Sequence, residues 1–279
     1  MLRSVEDLDG YAIGATDGDV GHVKDLYFDD EAWVVRYFVV DTGGWLSNRK
    51  VLISPFAVGK PSSSERLLPV SLTREKVKNS PDIDTNKPVS RQHERDYLEY
   101  YGYPLYWGAV GFWGGGVYPG SMPLGGDGDR GRNSVTGLSG LSDATVALAQ
   151  TQPEPDADSH LRSCQTVRGY HVHASDGDIG HVQGMLVDDE TWAIRYLVVN
   201  TSNWWLGHKV LVASQWIDSV RWLDAKVSVD VTRQDVKDSP PFIHTAPLDR
   251  QQETSLYEHY GRRSYWTDDL ERETEISRI

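Results

Sequence analysis

The chain has 279 residues, a formal net charge of −13 and a pI near 5.1, and 39% of its residues are hydrophobic. This acidic balance argues against nucleic acids and anionic membrane surfaces as partners, because both are bound through clustered Lys and Arg. There is no run of about 18 apolar residues, so we expect no direct insertion into a membrane. The single cysteine, Cys164, excludes a disulfide framework, and a cytoplasmic protein is predicted.

An internal repeat organises the chain. Residues 17–53, which begin DGDVGHV, return as residues 176–212, which begin DGDIGHV. The offset is 159 residues from Leu2 and Leu161 onwards, and roughly 40 of about 106 aligned positions are identical. The repeat divides the chain into repeat 1 with a helical extension (1–107), a Gly/Pro-rich flexible linker (108–159), repeat 2 with a helical extension (160–266) and a charged tail (267–279).

The first half of each repeat has the pattern of a β-hairpin. Tyr11 to Ile13 reads as a short strand, and the Asp-Gly pair at Asp17 favours a tight turn before a second strand at about 20–29. In both repeats the apolar residues of this second strand are spaced by three and then by two, which breaks the alternation of a regular strand. A β-bulge near Asp25 and Gly184 is therefore predicted.

The strongest predicted strand runs from Trp33 to Asp41, because it is rich in β-branched and aromatic residues. We expect one face to fill the interior of the repeat, namely Trp33, Val35, Tyr37 and Val39. The other face should point outwards, partly beneath the helical extension with Tyr97, Tyr101, Tyr106 and Trp107. Arg36 and its counterpart Arg195 lie in mid-strand and must reach solvent, a carboxylate or a partner, since an unpaired buried charge is costly.

Two further strands and two helices complete each repeat. Strands are predicted at about 49–53 and 67–72 of repeat 1. Thr73 and Thr232 have the character of N-caps for a short helix, and Ser90 and Asp249 for a second one.

The sequence resembles a known family. The residues DGDVGHVKDLYFDDEAWVVRYFVVDTGGWLSNRKVLISP resemble the PRC-barrel domain, which is named for the C-terminal domain of the photosynthetic reaction-centre H subunit. The resemblance covers about residues 8–80 and 167–239, and the following segment is similar to the extension of free-standing bacterial PRC-barrel proteins. It implies small, strongly bent β-barrels that contact proteins and carry no catalytic residues. We therefore predict a mainly β fold of two tandem small antiparallel PRC-type β-barrels, each followed by one or two short helices.

Few residues suggest chemistry. His171 and His173 share a strand face and His181 lies on the neighbouring strand, so the three imidazoles could converge on Zn²⁺ or Ni²⁺. Solvent-facing histidines are the simpler interpretation. The acidic turn at residues 29–31 reads as a solvated turn or as a contact for a basic partner.

We predict a non-enzymatic interaction or scaffold protein with a protein partner and no cofactor. One alternative is an H-subunit-like accessory of a photosynthetic or other membrane electron-transfer complex, and another is a metal- or ligand-binding protein that uses the histidines of repeat 2. An outward apolar face that occurs twice favours pairing of the repeats, within one chain or between chains. The predicted interaction residues are Arg36, Phe38, Val40, Arg195, Leu197 and Val199.

Overall fold

A computed structural model describes most of both repeats. The described residues are 1–81, 83, 89–107, 160–201, 208–243 and 248–267. The predicted linker, and the predicted tail from residue 268 onwards, lie outside them. The described part of the chain is mainly β, with two sheets and a few helices. Within it, no helix combines the length and the apolar character needed to cross a bilayer.

Repeat 1 begins with a short strand and a helical turn that lead into a hairpin. Its described elements are β1 (Leu2–Ser4), α1 (Val5–Leu8), β2 (Ala12–Ala15), β3 (Gly18–Asp29), β4 (Val34–Asp41), β5 (Lys50–Ile53), β6 (Leu67–Pro69), α2 (Arg74–Lys78) and α3 (Arg91–Tyr101). Strands β2 and β3 pair antiparallel with Ala15 opposite Gly18, which confirms the predicted hairpin.

Repeat 2 follows the same order and adds one strand, β12, that was not predicted. Its described elements are β7 (Leu161–Ser163), α4 (Cys164–Val167), β8 (His171–Ala174), β9 (Gly177–Asp188), β10 (Ile194–Asn200), β11 (Lys209–Ala213), β12 (Ile217–Arg221), β13 (Lys226–Val229), α5 (Arg233–Asp238) and α6 (Arg250–His259). The two short opening strands, β1 and β7, have the same sequence, Leu-Arg-Ser.

Each sheet takes its strands mainly from one repeat. The order is β5-β4-β3-β2-β6 in the first sheet and β11-β10-β9-β8-β13-β12 in the second. The predicted antiparallel pairing holds except between β2 and β6 and between β8 and β13, which are parallel. After β5 in repeat 1, and after β11 in repeat 2, the chain crosses to the opposite edge of the sheet. The last strand of each repeat, β6 or β13, therefore runs in the same direction as its neighbour, β2 or β8.

The predicted bulges are confirmed. The pairing of β3 with β4 shifts register between Val23 and Asp25. The pairing of β9 with β10 shifts at the same place, between Val182 and Gly184. Because the bulge bends the strand and increases its twist, it allows one long strand to serve both halves of a small curved sheet.

The predicted N-caps of the helices are also confirmed. The Thr73 side chain accepts from the backbone N–H of Lys76, and Ser90 accepts from that of His93. Their counterparts in repeat 2, Thr232 and Asp249, make the equivalent bonds within complete capping boxes.

Candidate functional site

The two repeats exchange their opening strands. Strand β1 of repeat 1 pairs antiparallel with β9 of repeat 2, with Leu2 opposite Asp188. Strand β7 of repeat 2 pairs in turn with β3 of repeat 1, with Leu161 opposite Asp29. Each residue of one contact is displaced by 159 from its equivalent in the other, so the same contact is made twice. Sequence patterns missed it, because a three-residue strand has no measurable periodicity.

An ion pair accompanies each exchanged strand. Nε of Arg3 donates to Oδ2 of Asp189 at 2.7 Å, and Nε of Arg162 donates to Oδ2 of Asp30 at 2.8 Å. The Arg162 guanidinium also lies 4.5 Å from the centre of the Trp222 ring. Part of the acidic turn at residues 29–31 therefore binds an arginine of the other repeat rather than solvent.

The repeats also meet midway between these contacts. Val34 and Ala193 form an isolated antiparallel bridge. On either side of it, the N–H of Val35 donates to the carbonyl of Trp192 at 2.8 Å, and the N–H of Ile194 donates to the carbonyl of Trp33 at 2.7 Å. Since Val34 and Ala193 occupy the same position of the two repeats, this bridge marks the approximate two-fold axis that relates them.

Both tryptophans at this axis have an unusual backbone. Trp33 and Trp192 have φ angles of 54° and 59°, in the left-handed region that large residues rarely adopt. Such a conformation costs about 1–3 kcal/mol and persists where the surroundings impose it. Here the N–H of each tryptophan is bonded to the carbonyl of its own repeat's Asp29 or Asp188, and each carbonyl is bonded to the other repeat.

An aromatic contact fills the space beside the axis. The ring of Trp192 packs edge-on against Phe38 of repeat 1, with centroids 4.8 Å apart and an interplanar angle of 88°. All six predicted interaction residues are buried: Arg36, Phe38, Val40, Arg195, Leu197 and Val199. Phe38 contacts the other repeat, whereas the two arginines are held mainly within their own repeats.

A buried polar cluster secures Arg36. Its Nη2 lies 3.5 Å from Oδ2 of Asp29, and its guanidinium stacks 3.8 Å from the centre of the Tyr106 ring. The Tyr106 hydroxyl donates to Oε1 of Glu94 on α3, and Nη1 of Arg91 donates to Oε2 of Glu94 at 3.2 Å. Burial raises the pKa of Glu94 to about 7, although the hydrogen bond from Tyr106 and the positive charge of Arg91 both lower it. The cluster ties the helical extension to the sheet.

Repeat 2 contains the same cluster. Arg195 stacks 4.0 Å from the centre of the Tyr265 ring and lies 3.6 Å from Asp188. Oε1 of Glu253 accepts from the hydroxyl of Tyr196 at 2.8 Å and from that of Tyr265 at 2.9 Å. In the sequence, the signal for this cluster is the recurrence of its residues: Arg36, Arg91, Glu94 and Tyr106 return as Arg195, Arg250, Glu253 and Tyr265.

The predicted position of the helical extension is correct for Tyr106, which stacks on Arg36 of the outward face, but wrong for Tyr97. Tyr97 of α3 packs edge-on against Tyr37, with centroids 5.1 Å apart. Tyr37 belongs to the face that we expected to fill the interior, so the helix covers that face at this point. The sequence could not distinguish the two faces because every residue from Val34 to Val40 is buried.

The histidines of repeat 2 are only partly brought together. His171 lies opposite His181 across β8 and β9. His173 instead has its Nδ1 2.7 Å from Oδ1 of the exposed Asp178. Among the described residues, no group of three or more His, Cys, Asp and Glu side chains has an arrangement that could hold a metal ion.

Comparison with known proteins agrees with the first part of this fold. Residues 3–74 match the family model described as PRC-barrel domain. A protein described as uncharacterized from Deinococcus radiodurans is 32% identical over 81 residues, which are 29% of this chain and 29% of the relative. The matching part thus spans less than a third of that relative's length. The segment from β1 to the start of α2 is accordingly a PRC-barrel domain, at residues 3–74.

Proposed function

We propose that the chain is a tandem PRC-barrel protein in which repeat 2 forms a second barrel. The ungapped repeat and the shared order of elements support this. In the second sheet, β11 and β12 stand at the two ends of the strand order, yet only Ser214–Trp216 separates them in sequence, so the sheet curves back on itself. In repeat 1, Val58 after β5 bridges Val70 after β6 in the corresponding place.

The function we propose is that of a non-enzymatic scaffold for protein partners. The observation that carries it is the reciprocal exchange of β1 and β7, which joins the repeats into one body. Such a body presents two related outer surfaces in a fixed relative orientation, which favours a partner that touches both. The polar groups best placed for chemistry, such as Glu94 and Glu253, are buried and bonded to tyrosines. A cytoplasmic location accords with the single, buried Cys164.

The test compares capture by the native chain with capture by a variant whose repeats are separated. Asp30→Arg combined with Asp189→Arg places like charges at both exchanged strands, opposite Arg162 and Arg3. The tagged full chain should retain a stoichiometric protein partner from native cell lysate, and the double variant should lose it while keeping its β circular dichroism. Leu223→Asp, at a fully exposed position, is the control that should leave capture unchanged.

Two outcomes would contradict the scaffold proposal: no partner enriched over an untagged control, or equal capture by the double variant. Capture confined to the membrane fraction would favour the H-subunit-like alternative. Stoichiometric Zn or Ni in the purified chain, lost on replacing His171 and His181, would favour the ligand-binding alternative.

A further inference from the structure

The two strand exchanges are equivalent in backbone but differ in charge. We call the contact of β1 and α1 with β9 crossing 1, and the contact of β7 and α4 with β3 crossing 2. Crossing 1 combines Glu6 of repeat 1 with Gly184 and Arg168 of repeat 2. By the offset of 159, the counterparts at crossing 2 are Gln165 for Glu6, Asp25 for Gly184 and Asp9 for Arg168.

At crossing 1 the carboxylate comes from the helix. Glu6 occupies the space above Gly184 so closely that a Cβ added there would lie 2.5 Å from its Oε2. The Ser4 hydroxyl donates to Oε2 of Glu6 at 2.6 Å, and Oε1 lies 3.7 Å from Nε of Arg168. The absence of a side chain at Gly184 therefore makes room for this carboxylate.

At crossing 2 the carboxylate comes from the strand. Asp25 accepts from the Ser163 hydroxyl at 2.5 Å and from the N–H of Gln165 at 3.2 Å. Burial raises the pKa of Asp25. At each crossing, the carboxylate that accepts a hydrogen bond from the equivalent serine, Ser4 or Ser163, thus comes from repeat 1. Repeat 2 supplies the neutral Gly184 and Gln165.

We propose that repeat 1 pairs with a repeat 2 and rejects a second repeat 1. In a pair of repeat 1 copies, Glu6 would meet Asp25 at both crossings, and Asp9 would replace Arg168. Lys24 would also replace Gln183, but this single added positive charge does not offset those changes. Like charges placed together at an interface suppress the wrong partner. This inference goes beyond the proposed function, because it concerns which repeats can assemble and not what the assembly binds. The partner of repeat 1 is repeat 2 of the same chain, or of a second copy.

The test uses the full chain with a protease site inserted between residues 108 and 159. The chain is folded, cut, and analysed by size-exclusion chromatography with light scattering. Fragments of the wild type should remain together. Gly184→Asp introduces at crossing 1 the Glu–Asp contact of the rejected pairing, so its fragments should separate and the uncut chain should melt about 4 °C lower or more. Glu6→Gln with Gly184→Asp recreates crossing 2 and should restore both properties.

Two controls distinguish charge from size. Gly184→Asn has the bulk of Asp without its charge, and its fragments should stay together. At the other crossing, Gln165→Glu should separate the fragments, and Gln165→Glu with Asp25→Gly should rejoin them. The proposal is overturned if Gly184→Asp behaves as wild type, if Gly184→Asn separates the fragments equally, or if Glu6→Gln fails to rescue. Should Gly184→Asp prevent folding altogether, recovery of folding by Glu6→Gln remains the deciding result.

Discussion

Val34 pairs with Ala193, the residue at its own position in the other repeat, through an antiparallel bridge. Inter-repeat hydrogen bonds lie on both sides of this bridge, at Val35 and Ile194. The repeats therefore meet about an approximate two-fold axis, and the exchanged strands β1 and β7 lie at equivalent places on the two sides of it. Contacts of this kind arise naturally when a duplicated unit contacts its own copy.

The aromatic contact beside the axis should account for much of the stability of the pair. Trp192 is 2% exposed and packs edge-on against Phe38, so Trp192→Ala should lower the free energy of unfolding by about 3–5 kcal/mol. Trp33→Ala is the matched control, because Trp33 is only partly buried, and it should cost less than half as much. Urea unfolding measures both values. If both variants lost the same free energy of unfolding, the contact between Trp192 and Phe38 would not account for the stability of the pair.

The glycine near the start of each long strand, Gly21 in β3 and Gly180 in β9, should not tolerate a side chain. A Cβ at Gly21, which has a φ of +152°, would lie 2.0 Å from the backbone oxygen of Asp41. Because the obstacle is backbone on the paired strand, Gly21→Ala should destabilise by more than about 2 kcal/mol or prevent folding. Gly44→Ala, where a Cβ meets no atom within 4 Å, should change stability by less than about 1 kcal/mol. Thermal unfolding compares the two variants. If Gly21→Ala were as stable as the wild type, the backbone of Asp41 would not lie as close to Gly21 as described.

The buried cluster around Glu94 should make stability depend on pH. The pKa of Glu94 is raised to about 7 from 4.5, so the folded chain keeps this proton over a range in which the unfolded chain has lost it. The contribution of Glu94 to stability is therefore largest below about pH 4.5 and is lost as the pH rises to about 7. Over this range the free energy of unfolding should fall by on the order of 3 kcal/mol.

Glu94→Gln provides the test, because an amide cannot ionise. Urea unfolding at pH 5 and at pH 7.5 should show a smaller fall in stability for the variant than for the wild type. A fall of the same size in both proteins would mean that Glu94 is already ionised in the folded chain at pH 5.

Several features of the fold could be predicted from local sequence. The bulges near Asp25 and Gly184 appeared as a broken alternation, and the caps at Thr73 and Ser90 as isolated polar residues before helical segments. These features depend on neighbouring residues alone, so a single sequence contains them.

Features that depend on distant contacts could not be predicted in this way. The exchange of β1 and β7 involves three residues each and partners more than 130 positions away. The side of β4 covered by α3 could not be inferred, because a strand buried on both faces has no apolar preference to read. The burial of Glu94 was missed for a similar reason. Its helix is rich in polar residues, and the local sequence does not indicate that Tyr106 will cover the carboxylate.

The most direct test of the paired arrangement is a disulfide across the axis. Val34 and Ala193 lie opposite each other between two inter-repeat hydrogen bonds, as a non-hydrogen-bonded pair whose Cα atoms are typically about 4.5 Å apart, within the range of a disulfide. Val34→Cys with Ala193→Cys should therefore oxidise to a bond joining the two repeats, seen as a linked peptide by mass spectrometry and as a band at the mass of one chain on a non-reducing gel. A folded double variant that stays reduced under oxidising conditions, or that links only between chains, would contradict the arrangement.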